Sequence, residues 1–219
     1  MIHIQNLLTD HLQLGIITAE NINISQPHPV LEDRLTETLE LRRELLTDEE
    51  DLFRNTCRDM MRIGSYKPTG RGKPASEYLL RVAEEGQFPR INSAADINNY
   101  ISLKYLTPIS LWDTDKIASD SWVFRTGREG EAFVFNSSGQ TISLTDLVTG
   151  FAVSERGEIP IVTPVKDCQQ TKTDKSTRNL AAAIYYPADW EAAPPLNLII
   201  DEYAKLLGFI SDNVEKQIT

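Results

Sequence analysis

FPRINSAADINNYISLKYLTPISLWDTDKI, residues 88–117, decides how the rest of the chain is read. Asn92-Ser93 places capping side chains ahead of an apolar run, which predicts a helix over 94–105. Asn98 and Asn99 fall inside that helix, where asparagine is a poor former. They are either a solvated turn or residues kept for their amide groups. Pro108 follows the helix, and Asp113, Asp115 and Lys116 then read as a short loop. An aspartate in such a loop caps a turn and fixes the backbone around it.

Toward the N-terminus, 12–24 is rich in Ile and Leu with Gly15 inside it, and reads as a strand pair or one bent strand. Pro27 and Pro29 break it. Residues 30–46 carry apolar side chains at helical spacing, and Thr47-Asp48-Glu49-Glu50 reads as a cap and acidic first turn for a helix reaching about Ile63. Residues 64–74 read as a loop, and 75–85 as a helix stopped by Gly86. Toward the C-terminus, 122–126, 131–135, 147–153, 159–162 and 180–186 read as strands separated by turn residues. Residues 196–217 read as one closing amphipathic helix. Helices, then strands, then a helix predict an α+β fold.

The chain has 219 residues, 41% hydrophobic and 25% charged, an ordinary globular composition. No apolar run approaches the roughly 20 residues of a membrane span. The start MIHIQNLLTDHLQLG has neither a basic opening nor a small-residue cleavage site, so no secretory leader is expected. Cys57 and Cys168 lack a metal-type spacing, which points to a reducing, cytoplasmic setting. A net charge of −10 argues against indiscriminate nucleic-acid binding, and no DNA partner is expected. The charge is uneven. Residues 31–53 hold nine acids and three bases, whereas 54–81 hold seven bases and two acids, net +5. That stretch reads either as a solvated helix face with a loop or as a contact for a single RNA end.

His3, His11 and His28 are the only histidines, so nothing beyond residue 28 can supply an imidazole base or ligand. No metal or cofactor is expected. The loop Thr69-Gly70-Arg71-Gly72-Lys73-Pro74 lets backbone amides approach an anion. It is no nucleotide-phosphate loop, because Lys67 stands where a glycine is needed and Pro74 where Ser or Thr is needed. With Arg62 and Lys67, Arg71 and Lys73 are the candidate RNA contacts.

Asn98-Asn99, Pro108, Ser110, Trp112-Asp113 and Asp115-Lys116 together resemble a segment of the bacterial phenylalanyl-tRNA synthetase beta chain, where a Thr-Asn helix leads to Pro-x-His-x-Phe-Asp-x-Asp-Lys. That segment lies in the editing domain built from the third and fourth B modules, which strips wrongly attached amino acids from tRNA. The resemblance covers about residues 68–187. It implies the editing-domain fold, a mixed sheet flanked by helices, over 64–219, with 1–63 packed against it as an N-terminal portion. It also implies a pocket in which Asn99 holds the amino acid beside Asn98, Ser110, Asp113, Glu131, Thr177 and Ala183. The family glycine run becomes Thr163-Pro164-Val165-Lys166-Asp167-Cys168 here, so Thr163, Lys166 and Asp167 are the candidate catalytic residues. Lys166 would stabilise an oxyanion or phosphate, and Asp167 would orient Lys166 or a water. The family pocket histidine falls at Ser110 and its pocket glutamate at Ala183. Those two recognise tyrosine in the family, and neither can do so here. The resemblance therefore implies a free-standing protein acting in trans on a mischarged tRNA 3′ end, with no ligase activity. The alternative is a binding module for an RNA end or an amino-acid-like ligand that kept the fold and lost the chemistry.

Overall fold

A computed structural model describes residues 2–219. Strands β1 (His3–Asn6) and β2 (Leu12–Glu20) come first, followed by helices α1 (Leu31–Leu41), α2 (Asp48–Asp59), α3 (Ala75–Glu84) and α4 (Ser93–Tyr105). Seven strands follow: β3 (Ile109–Asp113), β4 (Ser121–Thr126), β5 (Ala132–Val134), β6 (Thr141–Ser143), β7 (Val148–Ser154), β8 (Gly157–Val162) and β9 (Leu180–Pro187). Helix α5 (Leu196–Leu207) and strand β10 (Asn213–Ile218) complete the order. One sheet runs β1-β4-β7-β8, with β1 parallel to β4 and the other pairs antiparallel. The second runs β10-β2-β9-β3, antiparallel throughout, and β5-β6 is a separate hairpin. The fold is α+β, as the sequence predicts.

The sheets face one another across an aromatic seam. Trp112 of β3 meets Trp122 of β4 edge-on at 5.0 Å, and Tyr185 of β9 meets Phe124 of β4 at 6.2 Å. These edge-to-face contacts are favourable beyond the area they bury. Strand β9, LAAAIYYP, is buried along its whole length. A strand covered on both faces reads as a continuous apolar run, not an alternation. The other face of the second sheet carries the helices. Gly15 of β2 gives α5 room: a Cβ there would meet the Leu196 side chain at 3.0 Å. Tyr203 of α5 donates to Asn98 of α4 at 2.9 Å, tying the two helices together in the interior.

The N-terminal portion is woven into this frame. β2 lies between β9 and β10, and β1 extends the first sheet. Arg42, 3% exposed just after α1, donates to the Leu103 and Lys104 carbonyls at the end of α4 and to Glu50 of α2 at 2.6 Å. One guanidinium thus satisfies carbonyls that a helix C-terminus leaves free and joins three helices.

Several expectations are corrected. The closing helix stops at Leu207, and 213–218 is the edge strand β10. Gly208 marks the break, and the ladder to β2 outweighs the helical spacing of the following residues. The loop expected after Pro108 begins with β3, ISLWD, every residue of it buried. Its five residues are too few to show a period beside the helix before it. Residues 12–20 are one strand, α1 ends at Leu41, and β1 and β6 are additional.

Arg42→Ala should lower stability by about 3 kcal/mol in urea unfolding, because it strands two buried carbonyls and one carboxylate. Thr47→Ala removes only the capping box at α2 and should cost about 1 kcal/mol. Equal losses in the two variants would contradict the anchoring role of Arg42.

Candidate functional site

Ser110, Thr163, Asp167 and Ala183 come together where β3, β8 and β9 meet. Ser110 and Ala183 are directly paired across β3 and β9, and neither is exposed. The Ser110 hydroxyl donates to the Thr163 carbonyl at 2.8 Å and lies 3.0 Å from the Tyr185 hydroxyl. A serine hydroxyl has one proton, so with that proton on the carbonyl the phenol is the donor to Ser110. The side chain filling the space beside Ser110 and Ala183 is therefore the chain's own tyrosine.

Thr163 shapes the loop that follows. Its hydroxyl accepts from the Val165 and Lys166 amides, at 3.2 and 3.0 Å, and donates to the Lys166 carbonyl at 2.8 Å. An isolated antiparallel bridge between Val162 and Asp167 closes the turn. Consecutive residues of this turn face different surroundings. Lys166 lies over the Phe135 ring at 4.4 Å. Asp167 sits beside the Ser110 hydroxyl and the Leu111 amide. Burial pushes the Asp167 carboxyl up to about 7, against the lowering pull of Lys172 and the Leu111 amide. Burial also lowers the Lys166 ammonium, and the like charges of Lys172 and Arg71 add to that. The two residues form no ion pair, and the cation that acts on Asp167 is Lys172.

Lys166 and Val165 form one wall of a groove of about 820 Å³ whose other walls are α3 and the 70–74 segment. Arg71 and Lys73 line the same groove, so two of the candidate RNA contacts share it with a candidate catalytic residue. The loop is held firmly. The Ala75 amide donates to the Pro164 carbonyl at 2.9 Å, Tyr66 donates to the Gly72 carbonyl at 2.7 Å, and Gly70 adopts φ 55°. Arg62 turns to Asp59 at 2.7 Å, and Lys67 is exposed outside the groove lining.

The remaining candidates lie in other contacts. Asp113 accepts from Thr177 at 2.5 Å and from the Asp115 amide at 2.9 Å. Asp115 accepts from the Arg178 and Asn179 amides, both at 3.0 Å. The Asp-x-Asp pair thus clamps the end of β3 to the start of β9. Glu131 binds Arg125 through both oxygens, at 2.8 and 2.9 Å, in a network with Glu158. Asn98 is spent on Tyr203, whereas Asn99 keeps partial exposure. Tyr185, Lys172 and Phe135 were not among the candidates. Tyr185 reads in sequence as the end of an apolar strand, and Lys172 as one of several loop lysines. Among the described residues no group of three or more His, Cys, Asp or Glu side chains could hold a metal, and both cysteines are buried and free. Among the described residues no helix is long and apolar enough to cross a membrane.

The B3/4 domain model matches residues 65–190, more than half of the chain, including Ser110, the 163–168 loop and Ala183. The chain belongs to the B3/4 domain family. It is 32% identical over 123 residues to the phenylalanine–tRNA ligase beta subunit of Bartonella quintana (strain Toulouse), covering 56% of this chain and 14% of that one. It is 29% identical over 117 residues to the same subunit of Carboxydothermus hydrogenoformans, covering 53% and 14%. The chain therefore spans only a small part of these curated relatives. An N-terminal fragment of the phenylalanyl-tRNA synthetase beta subunit from Pyrococcus horikoshii aligns over 99% of this chain and 50% of its own, with a TM-score of 0.47 and 10% identity. The B3/4 match takes in the loops carrying Arg71, Lys166 and Asp167 but leaves out β1, β2, α1, α2, α5 and β10.

The raised Asp167 carboxyl makes a pH prediction. The folded protein holds this proton up to about pH 7, and the unfolded chain releases it near 4. Between those values the folded state binds more protons, so this group's contribution to stability falls as pH rises and levels off above about 7. Asp167→Asn should remove that decline, raising stability at pH 7 relative to pH 4 by on the order of 2–4 kcal/mol compared with the wild type. Parallel stability-versus-pH curves for the two proteins would refute it.

Proposed function

We propose that this B3/4 protein hydrolyses the ester of a mischarged tRNA 3′ end, acting in trans. The observation that carries the reading is Asp167, a carboxyl held near neutrality at the position where the resembling family has a bare glycine run. A general base works best with a pKa close to the operating pH. Asp167 would take a proton from the water as the water oxygen bonds the ester carbonyl carbon, and would return that proton to the ribose oxygen as the acyl–oxygen bond breaks and the amino acid is released. The Val165 and Lys166 amides are occupied by Thr163, so the Lys166 ammonium is the donor left on the loop to meet the developing oxyanion. Thr163 sets the turn. Asn99, the more exposed of the asparagine pair, would hold the substrate amino group, with the groove beside Lys166 taking the RNA. Asn98, Asp113, Thr177 and Glu131 would keep the frame of the site.

A panel of mischarged tRNAs, followed for release of amino acid, tests the reading directly. Asp167→Asn should slow release about 10²–10⁴-fold with the fold intact. The second reading, a module that binds a charged RNA end without cleaving it, is favoured by how completely Ser110, Thr163 and Tyr185 satisfy one another. Tight binding of charged tRNA with no release from any member of the panel would select it.

Tyrosine attached to the phenylalanine tRNA should be a poor substrate. Ser110 and Ala183 offer no imidazole or carboxylate, and the phenol beside Ser110 belongs to Tyr185. A site unable to bond the substrate hydroxyl forfeits discrimination of up to about 10⁴. Release of tyrosine at the rate of the best substrate in the panel would show that these positions do not line the pocket.

A further inference from the structure

Five cationic side chains line the groove beside Lys166, namely Arg54, Arg71, Lys73, Arg81 and Lys166, against the two acids Glu77 and Glu84, net +3. Such a concentration is notable in a protein of net charge −10. Their partners divide them. Glu77 is occupied by two guanidinium nitrogens of Arg58 and lies 3.8 Å from Arg54 and 3.5 Å from Lys73. Arg81 lies 3.8 Å from Glu85 and over the Tyr78 ring. Among the described residues, Arg71 and Lys166 have no acidic partner within 4.0 Å, and the Nε of Arg54 is buried without an acceptor. Arg71 and Lys166 are close enough for one charge to disfavour the other, with Lys172 adding a third, its ammonium on the Phe135 carbonyl at 2.7 Å. Like charges held together with a donor left over are a site short of an anion.

We propose that Arg71 and Lys166 bind one tetrahedral oxyanion of the phosphate class in this groove, with Lys172 adding positive field from the Phe135 carbonyl it bonds. The guanidinium offers a planar fork and the ammonium a point charge, a pair suited to a phosphate. Both sit on braced backbone. The Ala75–Pro164 hydrogen bond joins their two loops, and Tyr66 fixes the turn that carries Arg71. The oxyanion is either the phosphodiester of an RNA strand or a free phosphate or nucleotide. The first case rests on the RNA reading above, and the second does not. Lys73, placed 3.5 Å from Glu77, is secondary.

Calorimetric titration of the full chain at low salt, with inorganic pyrophosphate and separately with a single-stranded RNA octamer, tests the site. The Arg71→Gln/Lys166→Gln protein should bind at least tenfold more weakly, whereas Lys205→Gln, an exposed change on α5, should bind like the wild type. For the RNA, losing one neutralised phosphate should flatten the slope of log K against log salt by about 0.7. Dependence seen with the octamer alone assigns the diester, and dependence seen with pyrophosphate assigns the free anion; either supports the site. Failure of both probes to bind, or affinities unchanged in the double variant while its thermal unfolding stays like wild type, overturns it. Amino-acid release from mischarged tRNA is measured separately. Its absence with anion binding intact removes the editing reading and leaves the oxyanion site standing.

Discussion

The buried hydrogen bond from Ser110 to the Thr163 carbonyl is the contact on which the rest of the site depends. Ser110 belongs to β3, at the edge of the second sheet, and Thr163 follows β8, at the edge of the first. The bond stitches two sheet edges that have no ladder between them. Both residues are buried, so water cannot compete for it. With the Thr163 carbonyl fixed, the Thr163 hydroxyl is free to gather the next two amides, and the turn that results sends Lys166 to the groove and the half-buried Asp167 toward Ser110 and Leu111. The split of one loop into a cationic outer side and a titratable inner side comes from one serine bond and one threonine turn.

Helix starts with side-chain caps were legible in the sequence. Thr47 and Glu50 form the expected capping box, and Asn92 caps α4 through the Ala95 amide at 3.0 Å. The apolar run of β9 was legible as well, because no turn residue interrupts it. What escaped was structure set by partners distant in sequence. β3 is a strand because β9 lies beside it, and β10 because β2 does. Residues 213–218 alternate only weakly and follow a helix whose apolar spacing they continue, so local pattern alone favoured more helix. The Asp-x-Asp-Lys segment was legible as a turn, but its function as a clamp on residues 174–179 needed the fold to bring them together.

The site was legible to the same uneven degree. Ser110, Ala183 and the 163–168 loop were singled out from segments far apart, and they meet. The expectation that Lys166 and Asp167 act as a pair did not allow for an extended turn, in which neighbouring side chains diverge. Nor did the sequence mark Tyr185 as the occupant of the space beside Ser110. A tyrosine ending an apolar strand has no local feature that says where its hydroxyl goes.

The replacement of a glycine run by Pro164-Val165-Lys166-Asp167 changes what such a loop can do. A glycine loop works through its backbone amides. Here Thr163 takes two of those amides for the turn, so the surface available to a ligand is made of side chains. Side chains bring titratable charge: a carboxyl held near 7 on one side and an ammonium lowered by burial and like charge on the other. Each shift is a cost carried by the folded protein, since a raised Asp and a depressed Lys both oppose ionisation that water would favour. An anion near Lys166 relieves one of them, and a proton on Asp167 relieves the other. A ligand bringing negative charge to Lys166, as proposed above, would offset the cost that burial and like charge impose on that ammonium, next to the one carboxyl of the loop whose proton is held toward neutral pH.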